Sequence, residues 1–165
     1  MTGTILPADI ATLAEQVIAA NVAAGRTVAL AESCTGGLVA AALTEIAGSS
    51  AVLDRGFVTY SNEAKHELLG VSNDIIETFG AVSIACAWAM AEGALRHSRA
   101  DVSVAVSGIA GPGGGSPQKP VGTVVFARCT RGSDEIVAEE RLLDGGSRAE
   151  IRRQAALIAL ELLLP

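Results

Sequence analysis

The chain has few aromatic residues, few basic residues, and neither paired cysteines nor any long apolar run. Only 3% of its 165 residues are aromatic while half are hydrophobic. Its core is therefore expected to be built from Ala, Val, Leu and Ile, and platforms for stacking bases are excluded. Twelve Lys and Arg face eighteen Asp and Glu, for a net charge of -6, and the basic residues are scattered apart from Arg152-Arg153. A phosphate-backbone binder needs a basic face, so nucleic acid is not an expected partner. Cys34, Cys86 and Cys129 are odd in number and widely spaced, with no C-x-x-C pair, so neither a disulfide framework nor a zinc site is indicated. No apolar stretch approaches the roughly 18 residues that span a membrane, and the first residues lack the basic-then-apolar pattern of a secretory signal. The reading is a soluble, cytoplasmic protein without a membrane partner.

What is present is a regular alternation of elements. Apolar positions Ile10, Leu13, Val17, Ile18 and Val22 fall on a helical period ending at Gly25. "RTVALAE" reads as a strand, and "TGGLVAAALTEIAG", 35–48, as an Ala-rich helix. Residues 52–60 read as a second strand and "SNEAKHELLG" as a capped helix. "VSNDIIETFGAVS" contains a helical turn, and Ser83 can cap a buried helix, "IACAWAMAEGALRHS". A strand over "ADVSVAVSG", a glycine-rich loop, the strands "VGTVVFARCT" and "EIVAEERLL", and a closing helix from Ser147 complete the pattern. Strands alternating with helices, then a late strand pair, predict one three-layer α/β/α domain over 1–165 with a mixed, mainly parallel sheet.

"AESCTGG", 31–37, follows the first strand, where an α/β sheet presents unpaired helix amides to ligands. Ser33 can be a nucleophile there, or Ser33 or Thr35 can simply cap the helix. Gly36 and Gly37 allow close approach of a substrate, and the amides around Cys34 to Gly37 can hold a phosphate or an oxyanion. The spacing is not that of a Walker P-loop. His66 and His97 read as packing or surface residues, so no Ser-His-Asp set is proposed. "TYSNEAK" places Lys65 in the first turn of a helix, where the dipole and burial lower an amine's pKa. Lys65 is then either the base for Ser33 or a solvated surface lysine. Tyr60 can donate a hydrogen bond or pack as a strand residue. Cys34 competes with Ser33 as nucleophile, although it lacks a histidine partner. The "SGIAGPGGGSPQKPVGTV" segment, 107–124, follows a strand and carries Ser107, Gly108, Gly111 and Gly113, suited either to curl around a ligand or to make an ordinary connection. Arg148 and Arg152, one turn apart, suit phosphate or a solvated helix face.

Four segments in order, "AESCTGG", "GFVTYSNEAK", "GAVS" at 80–83 and "SGIAGPGGGSPQKPVGTV", closely resemble the CinA C-terminal domain family, the nicotinamide-nucleotide amidases, across residues 8–163. The resemblance implies a three-layer α/β/α fold and hydrolysis of the carboxamide of nicotinamide mononucleotide to nicotinic acid mononucleotide and ammonia, with no metal or cofactor. It implies Ser33 as nucleophile, Lys65 as general base, Tyr60 assisting through a hydrogen bond, and backbone amides at Thr35 to Gly37 as oxyanion donors. Glu32, Cys34, Asn62, Ser107 and the 108–115 loop would shape the substrate site, with Arg148 on the phosphate. An inward Glu32 would suit the pyridinium charge. Longer members carry a further N-terminal domain, whose activity is not carried over. Pro117-Gln118 varies the loop without touching the two catalytic motifs. The competing class is a nucleotide-binding or competence-related module without catalysis, and a second enzyme reading keeps the Ser/Lys pair but changes the amide. The apolar closing helix is compatible with a homodimer.

Overall fold

Period-two alternation sorts the side chains of each central strand onto two faces, and helices cover both. The computed structural model describes residues 3–165. Among these residues six α-helices, α1 (Ala8–Ala24), α2 (Leu38–Thr44), α3 (Asn62–Leu69), α4 (Asn73–Phe79), α5 (Ile84–Arg96) and α6 (Arg148–Leu162), and one 3-10 turn, Ser49–Ala51, accompany five strands. These are β1 (Val28–Glu32), β2 (Leu53–Val58), β3 (Val102–Gly108), β4 (Thr123–Thr130) and β5 (Val137–Leu142), in the sheet order β2-β1-β3-β4-β5. β1 pairs parallel with β2 and β3, and β4 pairs antiparallel with β3 and β5, so the sheet is mixed and every strand but β4 runs the same way.

Val28, Leu30, Val104, Val106, Val124 and Phe126 point to one face, packed by α1, α2 and α6. Ala31, Ala105, Val125 and Ala127 point to the other, packed chiefly by α5. The small residues on that face let α5 lie close to the sheet, where the Ser103 hydroxyl donates to the Ala91 carbonyl at 2.6 Å. Gly93 is required in α5 because a Cβ there would stand 2.1 Å from the Leu69 carbonyl oxygen of α3. This seats α3, and with it Lys65, against the core.

The chain leaves β1 through α2 on one face to reach β2, then returns through α3, α4 and α5 on the other face to reach β3. Connections that diverge in this way open a crevice outside the carboxyl ends of the strands on either side of the divergence, here β1 and β3. Ser33 and Ser107 stand at those two strand ends.

The helix expected over 35–48 is shorter than its composition suggests. Gly36 and Gly37 have φ of 60° and 98°, left-handed values that delay α2 until Leu38. In compensation, the helical turn expected within 71–83 is the complete helix α4, capped by the Ser72 side chain.

Candidate active site

The crevice holds a cavity of about 230 Å³ lined by Ser33, Cys34, Tyr60, Asn62, Lys65, Ala81, Val82, Ser107, Gly108, Ala110 and Arg148. Five sequence segments that are remote from one another therefore converge on one site.

At its floor, Lys65 Nζ lies 2.9 Å from Ser33 Oγ. Lys65 is 1% exposed and Ser33 8%. The Ser61 side chain caps α3 by accepting from Ala64 N at 3.0 Å, which fixes Lys65 in the first turn. Its amine also donates to the carbonyls of Thr59 at 2.8 Å and Tyr60 at 3.3 Å. A neutral amine has two N–H donors and one lone pair. As an ammonium Lys65 donates to both carbonyls and to Ser33 Oγ; as a neutral amine its two donors go to the carbonyls and its lone pair faces the Ser33 hydroxyl. Burial pushes the Lys65 pKa below its ordinary value, against weaker opposing effects of Cys86 and Cys34. The reading of Lys65 as a solvated surface residue is overturned.

Ser33 does not cap α2, and neither does Thr35. The N-cap is Gly37, which has no side chain to offer, and Thr35 Oγ1 is buried without a hydrogen-bond partner. The acceptor comes from Glu32, which is 1% exposed and receives the amides of Gly37 at 3.0 Å, Val39 at 3.2 Å and Ala40 at 2.8 Å. The expectation that Glu32 faces the substrate is corrected. As the last residue of β1, its carboxylate reaches the start of α2, and those amides hold it there rather than in the cavity.

The same bonds narrow the oxyanion donors. Gly37 N is taken by Glu32, and Gly36 N donates to the Ser33 carbonyl at 3.0 Å. Of the amides at 35–37, Thr35 N alone has no partner within the protein, among the described residues. Thr35, Gly36 and Gly37 are not among the residues that line the cavity.

Cys34 lines the cavity, but burial pushes its thiol up to about 11, with Glu32 adding to the rise. It stays a neutral thiol near neutral pH, and it is the Ser33 hydroxyl that the Lys65 amine contacts. His66 and His97 each direct Nδ1 to a backbone carbonyl, Val71 and Gly93 respectively, both at 2.8 Å.

Tyr60 is 62% exposed, and its hydroxyl receives Arg148 Nη2 at 3.1 Å. Its contact with Lys65 is through the main chain. Arg148 also donates to the Gly111 carbonyl at 2.7 Å, which ties the glycine loop to the start of α6. The far side of that loop is tied down by Lys119, whose amine donates to the Phe79 carbonyl at 2.7 Å. Gly113 is away from the cavity wall, and an added Cβ there would meet nothing within 4 Å. Ser107 Oγ donates to the Ala81 carbonyl at 2.9 Å and so joins β3 to the segment before α5. Ala81 and Val82 are wall residues not named from the sequence, although they lie within the "GAVS" segment, and Ala110 belongs to the 108–115 loop expected to shape the site. Among the described residues, no group of three or more His, Cys, Asp or Glu can hold a metal ion, and no helix is long and apolar enough to cross a membrane.

Fold and site together define an α/β protein with a buried serine-lysine pair at the carboxyl ends of its parallel strands. A family model described as the CinA C-terminal domain matches residues 10–165, and the chain belongs to that family. It is 53% identical over 152 residues to "Nicotinamide-nucleotide amidohydrolase PncC" of Enterobacter agglomerans, covering 92% of each chain. It is 53% identical over 151 residues to the protein of that name from Escherichia coli K12, covering 92% of this chain and 90% of the relative. A "CinA-like protein" of Mycolicibacterium vanbaalenii is 53% identical over 144 residues, which are 87% of this chain but 34% of that longer one. Among solved structures, the competence/damage inducible protein CihA from Agrobacterium tumefaciens matches with a TM-score of 0.94 at 52% identity, covering 98% of this chain and 97% of that one.

Proposed function

We propose that this protein is a nicotinamide-nucleotide amidohydrolase that converts the carboxamide of nicotinamide mononucleotide to the acid by a Ser33/Lys65 mechanism. The observation that carries the mechanism is the buried 2.9 Å contact between Lys65 Nζ and Ser33 Oγ. The substrate follows from the PncC relatives, similar along nearly their whole length.

Ser33 Oγ attacks the carboxamide carbon while its proton passes to the Lys65 amine. The tetrahedral intermediate collapses as Lys65 returns that proton to the leaving nitrogen, releasing ammonia and leaving an ester on Ser33. Water, deprotonated by Lys65, attacks the ester; the serine leaves with the proton, and nicotinic acid mononucleotide departs. The substrate's pyridinium charge disfavours an ammonium beside it and so keeps Lys65 in the form the first step needs. Asn62 and Ser107 line the cavity, and Arg148 at its rim receives the phosphate. The enzyme works in a cytoplasmic setting on a small nucleotide, without metal, nucleic acid or membrane; a homodimer is compatible with this arrangement.

The test incubates purified protein with nicotinamide mononucleotide and EDTA and follows ammonia and nicotinic acid mononucleotide, with Ser33→Ala and Lys65→Ala in parallel. The expected result is turnover by the wild type and a loss of at least about 100-fold in each variant, the low end for general-base catalysis. No turnover by folded wild type rejects the substrate, and unchanged variants reject the mechanism.

A further inference from the structure

Arg152 lies outside the cavity, yet its guanidinium is spent on the turn that follows the nucleophile. Nε donates to the Cys34 carbonyl at 3.1 Å, and an Nη donates to the Thr35 carbonyl at 3.0 Å. Among the described residues no carboxylate pairs with Arg152, and the acidic neighbour Glu32 is held by the amides of α2. The guanidinium fork spans two successive peptide groups, a geometry that an ammonium cannot reproduce.

The consequence runs through the peptide planes. The bonds from Ser33 to Gly36 are trans, so each carbonyl and the amide that follows it point to opposite sides. The Ser33 carbonyl is held by Gly36 N at 3.0 Å, which sets the direction of the Cys34 amide. The Cys34 carbonyl is held by Arg152, which sets the direction of the Thr35 amide away from α6. These are the two amides after Ser33 that neither Glu32 nor the turn consumes. Gly36, with φ of 60°, adds no side-chain stiffness, and Leu38 N also donates to the Thr35 carbonyl at 3.1 Å, so Arg152 adds to the turn's own bonds and is, among the described residues, the one side chain that holds the Cys34 carbonyl.

We propose that Arg152 is a positioning residue for the Ser33/Lys65 reaction. From α6 it holds the peptide planes of the 34–36 turn, so that the Ser33 hydroxyl and the amides behind it keep their alignment during acyl transfer. The inference rests on the amidase reading above. Because the bonds go to the turn and not to the cavity, Arg152 acts on the transition state and leaves substrate affinity alone.

The experiment measures kcat and KM for nicotinamide mononucleotide with the wild type, Arg152→Ala and Arg152→Lys, each checked for cooperative thermal unfolding. Misplacing a reacting group by an ångström costs on the order of 100-fold in rate. The expected result is therefore a fall in kcat approaching about 100-fold for Arg152→Ala, with KM within about threefold and the pH midpoint of the rate unchanged. Arg152→Lys keeps the charge but reaches only one carbonyl, so its kcat falls between the two; it also decides the matter if Arg152→Ala does not fold. A rise in KM with kcat intact, or wild-type kcat in either folded variant, overturns the proposal. Absence of wild-type turnover instead rejects the amidase reading on which it rests.

Discussion

Glu32 and Ser33 are neighbours at the end of β1, yet their side chains serve opposite tasks. The Glu32 carboxylate gathers three amides of α2, while the Ser33 hydroxyl meets the Lys65 amine at the cavity floor. Adjacent strand residues point to opposite faces, so a single step along the chain separates the support of the site from its chemistry.

That support has a measurable worth. Glu32→Ala leaves three amides at the start of α2 without their acceptor, all of them on residues that are buried or half-buried. Removing a buried charged acceptor costs about 3 kcal/mol, which lowers the melting temperature by about 10 °C for a chain of this size. Thermal unfolding of wild type and Glu32→Ala checks it; equal melting temperatures would show that the carboxylate does not hold the helix.

The rate has a defined pH dependence. In the proposed mechanism only the neutral Lys65 amine accepts the serine proton, and burial lowers its pKa. Activity is therefore low where Lys65 is an ammonium and rises with pH through its folded-state pKa, which lies below the ordinary value of about 10.4. Lys65→Arg, a permanent cation, removes this limb and lowers kcat by at least about 100-fold across the range. A pH-rate profile with no ascending limb attributable to Lys65 contradicts the assignment.

Stability carries the same signature with its own sign. The folded-state pKa of Lys65 is lowered, so between that value and about 10.4 the unfolded chain binds the proton that the folded chain has released. Stability then rises with pH in that window by up to about 1.4 kcal/mol per pH unit, and the penalty of burying Lys65 is full below it. Lys65→Met removes the titration. Urea unfolding of both proteins at several pH values is expected to show the variant's relative stability falling as pH rises through the window; a pH-independent difference would mean that Lys65 is not held neutral.

Much of this site is legible in the sequence because its segments follow strand ends. The apolar run before Ser33, the polar caps before Lys65 and the glycines after Gly108 mark three strand-to-helix or strand-to-loop junctions, and junctions at the carboxyl ends of parallel strands share one crevice. What the order of residues leaves open is direction. A glutamate ending a strand beside a serine has the same local pattern whether it faces a substrate or bends to Val39 and Ala40, seven and eight residues on. Arg148 and Arg152 share one helix face, yet one meets Tyr60 and Gly111 at the cavity while the other meets the Cys34 and Thr35 carbonyls. The sheet order, which sets β1 between β2 and β3, depends on pairings across the chain that no local period encodes.

The neutral thiol of Cys34 predicts inertness. With its pKa pushed up to about 11, about one part in a thousand is thiolate at pH 8, and the side chain is 5% exposed. Iodoacetamide at pH 8 is expected to leave native activity intact, and Cys34→Ala to keep kcat within a few fold. Rapid inactivation by alkylation at Cys34, or loss of turnover in the alanine variant, would return the nucleophile's role to the thiol.

The contact of Arg148 with Tyr60 separates binding from chemistry. The arginine stands at the cavity rim with its guanidinium on two neutral acceptors, the Tyr60 hydroxyl and the Gly111 carbonyl, at 3.1 and 2.7 Å. A substrate phosphate is the stronger acceptor for such a fork. Arg148→Ala is expected to raise KM by at least about 10-fold with kcat within a few fold, because a charge-assisted bond contributes about 1.5 to 3 kcal/mol. Tyr60→Phe keeps the ring and the main-chain carbonyl that Lys65 uses and removes only the hydroxyl, so its effect falls on KM and stays below about 10-fold. A large kcat loss in Tyr60→Phe with KM unchanged would place the hydroxyl on the reacting groups instead, and Arg148 would then be its anchor and not the phosphate's.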